Sequence, residues 1–186
     1  MASMITRFGK SVPADDAFTA WTSGNLSQML DAMTIETNEI DRHHLLQSVV
    51  RDLYRQRTDP AQRAKLLDVA TVHLGEMEKL IEALRRDDVA NKERSRSQAE
   101  LHFRKTGVPQ PSIEAVPGGA IPVIETFLLS VRVLCEDGRY QEAKEVWRRA
   151  AEVGYLSATG LLQEEASVDR RRKRNEARQR SKPSSG

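Results

Sequence analysis

The sequence has one cysteine, few aromatic residues and no long apolar run, and each shortage excludes a class of protein. Cys135 stands alone, so an intrachain disulfide is impossible and no cysteine pair has the spacing of a zinc site. The longest apolar runs fall well short of the roughly 18 to 20 residues that cross a bilayer. We therefore expect a soluble protein of a reducing compartment that has no membrane partner.

Residues typical of catalytic and metal sites occur, but their spacing does not favour either chemistry. His43 and His44 are adjacent, whereas His73 and His102 stand alone, and a metal ion needs three or four converging ligands. No residue that could act as a base stands at a position that would mark Cys135 as a nucleophile. The many carboxylates stand among lysines and arginines, where solvation on polar helix faces explains them. The sequence thus predicts no enzyme, no catalytic residue, no cofactor and no metal ligand.

The residue patterns favour helices over strands. Aromatic residues make up only 5% of the chain and β-branched residues form no alternating runs, which disfavours a sandwich or barrel. Apolar pairs recur every four residues over 41–56, as on one face of a helix. Asp59 followed by Pro60 is typical of a helix start, because aspartate caps free N–H groups and proline loses no helical hydrogen bond there. A helical hairpin is predicted over residues 41–85, with Gly75 as an internal break.

Changes in composition divide the chain into five predicted segments. Residues 1–14 form a flexible N-terminus, and residues 15–85 hold the N-terminal helices and the first hairpin. Residues 86–118 are a linker, first charged and then rich in proline and glycine. Residues 119–168 contain a second hairpin and a following helix, and residues 169–186 form a basic, disordered tail. The predicted fold class is all-α, with helical hairpins packed as a small bundle beside a flexible basic C-terminal tail.

The second hairpin, over residues 121–154, carries the most specific pattern in the chain. Apolar residues at three- and four-residue spacing lead to Gly138, another amphipathic helix follows at once, and Gly154 ends it. Six residues stand in the order and spacing of one tetratricopeptide repeat: Phe127, Gly138, Tyr140, Ala143, Trp147 and Ala150. The hairpin therefore resembles that repeat, and the stretch from Leu134 to Gly154 also resembles a single pentatricopeptide unit.

The tetratricopeptide resemblance implies a helical scaffold whose groove holds a peptide or helix of another protein. The pentatricopeptide resemblance implies a relative of proteins whose tandem arrays read single-stranded RNA. Ser130, Val131 and Tyr155 depart from the tetratricopeptide pattern, and about three stacked units are needed for a stable solenoid. The sequence thus predicts a compact bundle with one repeat-like hairpin, and two unrelated amphipathic hairpins packed together are the alternative.

The positive charge is concentrated at the C-terminus. The chain has a net charge of +2, but residues 169–182 hold eight basic residues against Asp169 and Glu176. A basic segment beside a mildly acidic body is typical of a contact with nucleic acid or another polyanion. The predicted polyanion-binding residues are Arg170, Arg171, Arg172, Lys173, Arg174, Arg178, Arg180 and Lys182. Because the tail has no aromatic residue to stack on bases, binding without sequence selectivity is expected.

Two functions follow from these features. The first is a non-enzymatic adaptor built on helical hairpins, and the alternative is an RNA-associated or ribonucleoprotein component that uses the arginine-rich tail for phosphate contacts. For the tail itself, a partner-protein or targeting contact and a solubilising role stay open. Removing residues 169–186 is expected to abolish polyanion binding and leave the fold intact. The predicted compartment is the cytoplasm, with an organelle-targeting leader over residues 1–14 as the alternative.

Overall fold

The computed structural model describes residues 4–110 and 121–180 of the chain. These residues form eight helices and a two-stranded sheet, so the fold is predominantly all-α, as predicted. None of the helices described is both long and apolar enough to span a bilayer. The elements in chain order are β1 (Met4–Arg7), β2 (Lys10–Pro13), α1 (Asp16–Ser23), α2 (Leu26–Ala32), α3 (Glu39–Arg55), α4 (Pro60–Gly75), α5 (Met77–Thr106), α6 (Glu125–Glu136), α7 (Tyr140–Glu152) and α8 (Ala158–Arg180).

The chain divides into two compact units, each made of two separate stretches of sequence. The first unit comprises Met1–Leu45 and Glu78–Pro122, and the second comprises Leu46–Met77 and Val123–Gly186. Helix α3 contributes its N-terminal part to the first unit and its C-terminal part to the second.

A β-hairpin occupies much of the N-terminal segment that is predicted to be flexible over residues 1–14. Its strands β1 and β2 pair antiparallel. The two turn residues, Phe8 and Gly9, have φ values of 49° and 71°, which give a turn the twist that suits a hairpin. A Cβ atom at Gly9 would lie 2.8 Å from the backbone oxygen of Ala90, so the hairpin turn approaches α5 as closely as glycine allows.

Polar contacts within the first unit explain why this N-terminal segment is ordered. The Nε atom of Arg7 lies 3.2 Å from Oδ2 of Asp41, a fully buried carboxylate near the start of α3. The side-chain amide of Asn38 donates to the same carboxylate. On α5, the carboxylate of Asp87 accepts a hydrogen bond from the backbone N–H of Phe8. The buried charge of Asp41 is thus balanced by an opposite charge and by a further donor, as a buried carboxylate requires.

Helix α5 covers most of the linker predicted over residues 86–118. The linker is predicted from the charged and then Pro/Gly-rich composition of this segment, and a polar helix with little apolar surface to bury is marginal when isolated. In the structure α5 is one helix of 30 residues, and the hairpin turn packs against it. Ion pairs one turn apart, such as that between Lys92 and Asp88, add support on its surface. Residues 111–118, which hold most of the predicted Pro/Gly segment, lie outside the described residues.

Helices α3 and α4 confirm the two helices predicted for the first hairpin. The carboxylate of Asp59 caps α4 by accepting a hydrogen bond from the N–H of Ala61 at 2.8 Å, and Pro60 is the first helical residue. The predicted break at Gly75 is the end of α4, and α5 begins two residues later. The apolar stripe of α3 is fully buried at Leu45, Leu46, Val49, Val50 and Leu53.

The C-terminal segment predicted to be disordered over residues 169–186 is helical as far as residue 180. It continues α8, whose Val168 is buried. Three side-chain contacts join α7 to α8 in reverse order, as in an antiparallel pair. At 2.9 Å each, they are Arg148 to Glu165, Lys144 to Asp169, and Asn175 to the hydroxyl of Tyr140. These tertiary partners order a polar segment that has little tendency to fold alone, and residues 181–186 lie outside the described residues.

His43 in α3 makes the stability of the first unit depend on pH. Burial, with a smaller contribution from the nearby charge of His44, lowers the pKa of His43 from 6.5 to about 4. Between these two values the unfolded chain binds a proton that the folded chain does not, so the free energy of unfolding falls as the pH is lowered. The loss begins near pH 6.5 and is complete near pH 4.

Urea denaturation at pH 7 and at pH 5 measures the free energy of unfolding. Between these two pH values we expect it to fall by about 2 kcal/mol more in the wild type than in His43→Gln. His102→Gln removes an exposed histidine of α5 and should keep the wild-type pH dependence. The same pH dependence in the wild type and in His43→Gln would contradict the assignment of this titration to His43.

Candidate functional site

A tight turn joins α6 to α7. Gly138 has a φ of 74°, where a residue with a side chain would be strained. The N–H of Gly138 bonds the carbonyl of Cys135 at 3.3 Å, and the N–H of Arg139 bonds the carbonyl of Leu134 at 2.8 Å. This pair of bonds is a Schellman motif, which satisfies the last carbonyls of α6. The chain therefore reverses at once, and α7 begins at Tyr140.

Aromatic stacking and small residues pack α7 against α6. The ring centroid of Phe127, a fully buried residue, lies 6.4 Å from that of Trp147 and 5.1 Å from that of Tyr155. Ala143 and Ala150 are also fully buried, and their short side chains allow the close packing of the two helices. All six residues of the repeat pattern thus lie in one packed hairpin. The resemblance to a tetratricopeptide repeat stays a prediction, because these contacts suit any close helical pair.

Helix α4 packs against α6 through polar contacts at both ends. Near the end of α4, Nδ1 of His73 lies 2.8 Å from Oγ1 of Thr126, and both side chains are buried. Near its start, Arg63 lies 3.1 Å from Glu136 and 2.8 Å from Asp137. His73 is thus a hydrogen-bonded core residue. Among the described residues no group of three or more His, Cys, Asp or Glu side chains could hold a metal ion.

A groove of about 350 Å³ opens between α4, α6 and α7. Its apolar part comes from all three helices, with Ala70, Leu74 and Leu134 buried and Leu67 and Val146 partly exposed. The sequence pattern could not reveal this groove, because the residues that line it belong to both predicted hairpins and depend on how α4 packs against α6. We call it the apolar groove.

Charged side chains stand at the exposed edge of the apolar groove. The guanidinium of Arg139 donates to both carboxylate oxygens of Glu142, at 2.7 and 2.6 Å, and this hydrogen bond lowers the pKa of Glu142. Glu145 forms an ion pair with Arg148, which does not line the groove. Arg139 and Glu142 neutralise each other, whereas Arg148 is shared between Glu145 and Glu165, so one net negative charge remains beside the groove. The groove therefore suits an apolar segment that carries an adjacent positive charge.

A second recess, of about 310 Å³, lies between α6 and α8 and is mostly basic. Arg171, Arg174 and Arg178 line it from α8, where their three- and four-residue spacing places them on one helix face. Arg132 lines it from α6. Sequence reasoning missed Arg132, although a lone arginine within the apolar run of α6 is a signal that could have drawn attention to it. We call this recess the arginine recess.

The predicted polyanion-binding residues have different surroundings in the structure. Three of them line the arginine recess, as described above. Arg172 instead lies 3.7 Å from Asp169 and 3.8 Å from Glu176, within α8. Lys182 lies outside the described residues. The members that are exposed on the remaining faces of α8 are Arg170, Lys173 and Arg180.

Cys135 also lines the arginine recess, but its thiol is almost completely buried. Burial raises the pKa of Cys135, while the nearby positive charge of Arg171 acts in the opposite direction. The net effect keeps the thiol protonated at neutral pH, so Cys135 is a poor nucleophile. Its position fits the small core residue that the sequence predicts.

No protein-family model, no curated protein and no solved structure matches this chain. The apolar groove and the arginine recess are therefore the features of this chain that bear on its function. Both lie within the second unit, and α6 forms a wall of each.

Replacing Thr126 with valine tests the contact that joins α4 to α6, because it keeps the shape of the side chain and removes the hydroxyl bonded to His73. The buried Nδ1 then loses this partner, and a buried polar group without its partner costs about 1–3 kcal/mol. We expect urea denaturation to show a fall of that size in the free energy of unfolding.

Thr71→Val is the matched control for this change. It removes an exposed hydroxyl that bonds the carbonyl of Leu67 within α4, and it should change the free energy of unfolding by less than about 0.5 kcal/mol. Equal losses in the two variants would show that the contact between His73 and Thr126 contributes no more than a surface hydrogen bond.

Proposed function

We propose that the protein is a non-enzymatic adaptor that holds a segment of another protein in the apolar groove between α4, α6 and α7. The observation that supports this most directly is the lining, in which apolar side chains from three helices are bordered by charged residues at the exposed edge. Grooves of this kind bind amphipathic helices or extended peptides through apolar anchors. The volume of about 350 Å³ lies within the usual range for small binding sites.

Contacts within the protein hold all three helices of the apolar groove in place without a ligand. The buried contact between His73 and Thr126 joins α4 to α6, and the turn at Gly138 with the stacking of Phe127 on Trp147 joins α6 to α7. A preformed site loses less conformational entropy on binding than one that must first order itself. We propose that the ligand segment places an apolar side chain in the groove and a lysine or arginine beside Glu145.

Two neighbouring residues of α4 provide a matched pair for testing this function. Thr71 lines the groove at its exposed edge, whereas Val72 is also exposed but does not line it. Thr71→Arg should fill the groove with a long cationic side chain. Peptides selected from a displayed random library on the wild-type chain should bind this variant at least tenfold more weakly, a change of about 1.4 kcal/mol.

Val72→Arg adds the same charge to the same helix and should bind the selected peptides with nearly the wild-type Kd. The selected sequences are expected to share an apolar residue next to lysine or arginine. If Thr71→Arg and Val72→Arg retain the peptides equally well, or if the selection yields no shared pattern, the groove does not serve as the proposed binding site.

A second function, that of an RNA-associated or ribonucleoprotein component, is favoured by the arginine recess. Seven of the eight predicted polyanion-binding residues lie on α8, and contacts with α7 fix that helix as far as Asn175. Arginine contacts with phosphates release counterions, which provides affinity without sequence selectivity. We propose this function as the alternative to the adaptor.

Binding to a fluorescent 12-nucleotide oligouridine tests the second function. If about four phosphates are contacted, the association constant should fall about 50-fold between 50 and 200 mM salt, because each contact contributes about −0.7 to the logarithmic salt slope. Fluorescence anisotropy over this salt range provides the measurement. Absence of binding at 50 mM salt, or binding that does not respond to salt, would exclude this function.

Substitution tests the role of the basic residues better than deletion of residues 169–186 does. Asp169 and Asn175 contact α7, so the deletion would remove packing together with charge. The expectation that this segment can be removed without effect on the fold assumed a disordered tail.

A further inference from the structure

We propose that the arginine recess is a built site for the phosphodiester groups of single-stranded RNA, with Arg132 of α6 completing a set that α8 begins. The inference rests on the second function proposed above and adds where a phosphate is held and by which residues. The surface predicted from the sequence is a run of basic residues along one segment. The structure instead brings together one arginine from α6 and three from α8.

The charge in the recess is suited to a phosphate. Each guanidinium is permanently charged and offers several N–H donors in a planar arrangement that can bind two phosphate oxygens at once. Glu136 also lines the recess, but its carboxylate lies 3.4 Å from Arg57 and 3.1 Å from Arg63. These contacts offset the negative charge of Glu136, which is the one carboxylate that lines the recess beside four arginines.

Contacts around the recess hold its two walls together. On one side, the side chain of Asn175 donates to the hydroxyl of Tyr140 at 2.9 Å, and Lys144 bonds Asp169 at the same distance. On the other, α8 packs against α6, where the charge of Arg171 lies close enough to the buried thiol of Cys135 to influence its pKa. Because α8 is fixed against both α6 and α7, it loses less conformational entropy when a phosphate binds.

The shape of the recess favours a flexible strand over a duplex. A single strand can turn one phosphate into a space of about 310 Å³ between two helices, whereas duplex DNA is stiff over roughly 150 base pairs and carries its phosphates on a convex surface. None of the described residues that line the recess is aromatic, so bases find no stacking surface there. The exposed Arg170, Lys173 and Arg180 extend positive charge to neighbouring phosphates.

The test compares two double variants that remove the same charge. R132Q/R174Q removes two arginines of the recess, and R170Q/R180Q removes two exposed arginines of α8 that do not line it. Arg171 and Arg178 are kept because both make further contacts. For the 12-nucleotide oligouridine at 100 mM salt, we expect R132Q/R174Q to raise the Kd at least about tenfold, and R170Q/R180Q about threefold or less.

Further ligands distinguish the source of the phosphate. A 12-base-pair RNA duplex and a peptide with one phosphoserine should each bind the wild type more weakly than the oligouridine does, and their Kd values should respond less to R132Q/R174Q. Tighter binding of the duplex or of the phosphopeptide would overturn the assignment to single strands.

Failure of the recess can be told apart from failure of the second function. Equal losses in the two double variants would mean diffuse attraction along α8, which overturns the recess and leaves the second function standing. No binding of the oligouridine by the wild type would overturn both. Circular dichroism checks that the variants are folded. If R132Q/R174Q is not, the single variants R174Q and R180Q, both at exposed positions, compare one arginine of the recess with one outside it.

Discussion

The need to cover α6 on several sides determines the arrangement of the second unit. Eight of its twelve residues are buried, so its apolar surface cannot be shielded by one neighbour alone. Helices α4, α7 and α8 all pack against it. The apolar groove and the arginine recess lie where this cover is incomplete, on the α4 and α8 sides. Both candidate sites are thus consequences of how one apolar helix is enclosed.

Helix α8 shows how a strongly charged segment can be part of this cover. Its arginines repel one another and it has little apolar surface, so it would be marginal in isolation. The contacts with Tyr140, Lys144 and Arg148 compensate because they occur at every fourth residue of α7 and meet α8 along its length. The same arrangement turns one arginine face toward α6. The contacts with α7 therefore both order this segment and place its arginines together on the side that faces α6.

The candidate sites were predictable only in part. The six residues of the repeat pattern stand in one hairpin because their roles, a reversal at Gly138 and close packing at Ala143 and Ala150, depend on neighbours in sequence. The apolar groove also needs α4, which the sequence places in a different hairpin. Likewise, α8 could be recognised as basic from composition, whereas the contribution of Arg132 depends on which face of α6 lies beside it.

The sequence by itself determined the helical class, the start of α4 at Asp59 and Pro60, and the chain reversal at Gly138. Capping, proline geometry and a left-handed glycine act over a few residues and can be read locally. Only the tertiary structure decided the N-terminal hairpin, the full length of α5 and the helical order of residues 169–180. The partners that stabilise the hairpin lie 34 and 79 positions away, and for polar segments such distant contacts outweigh local propensity.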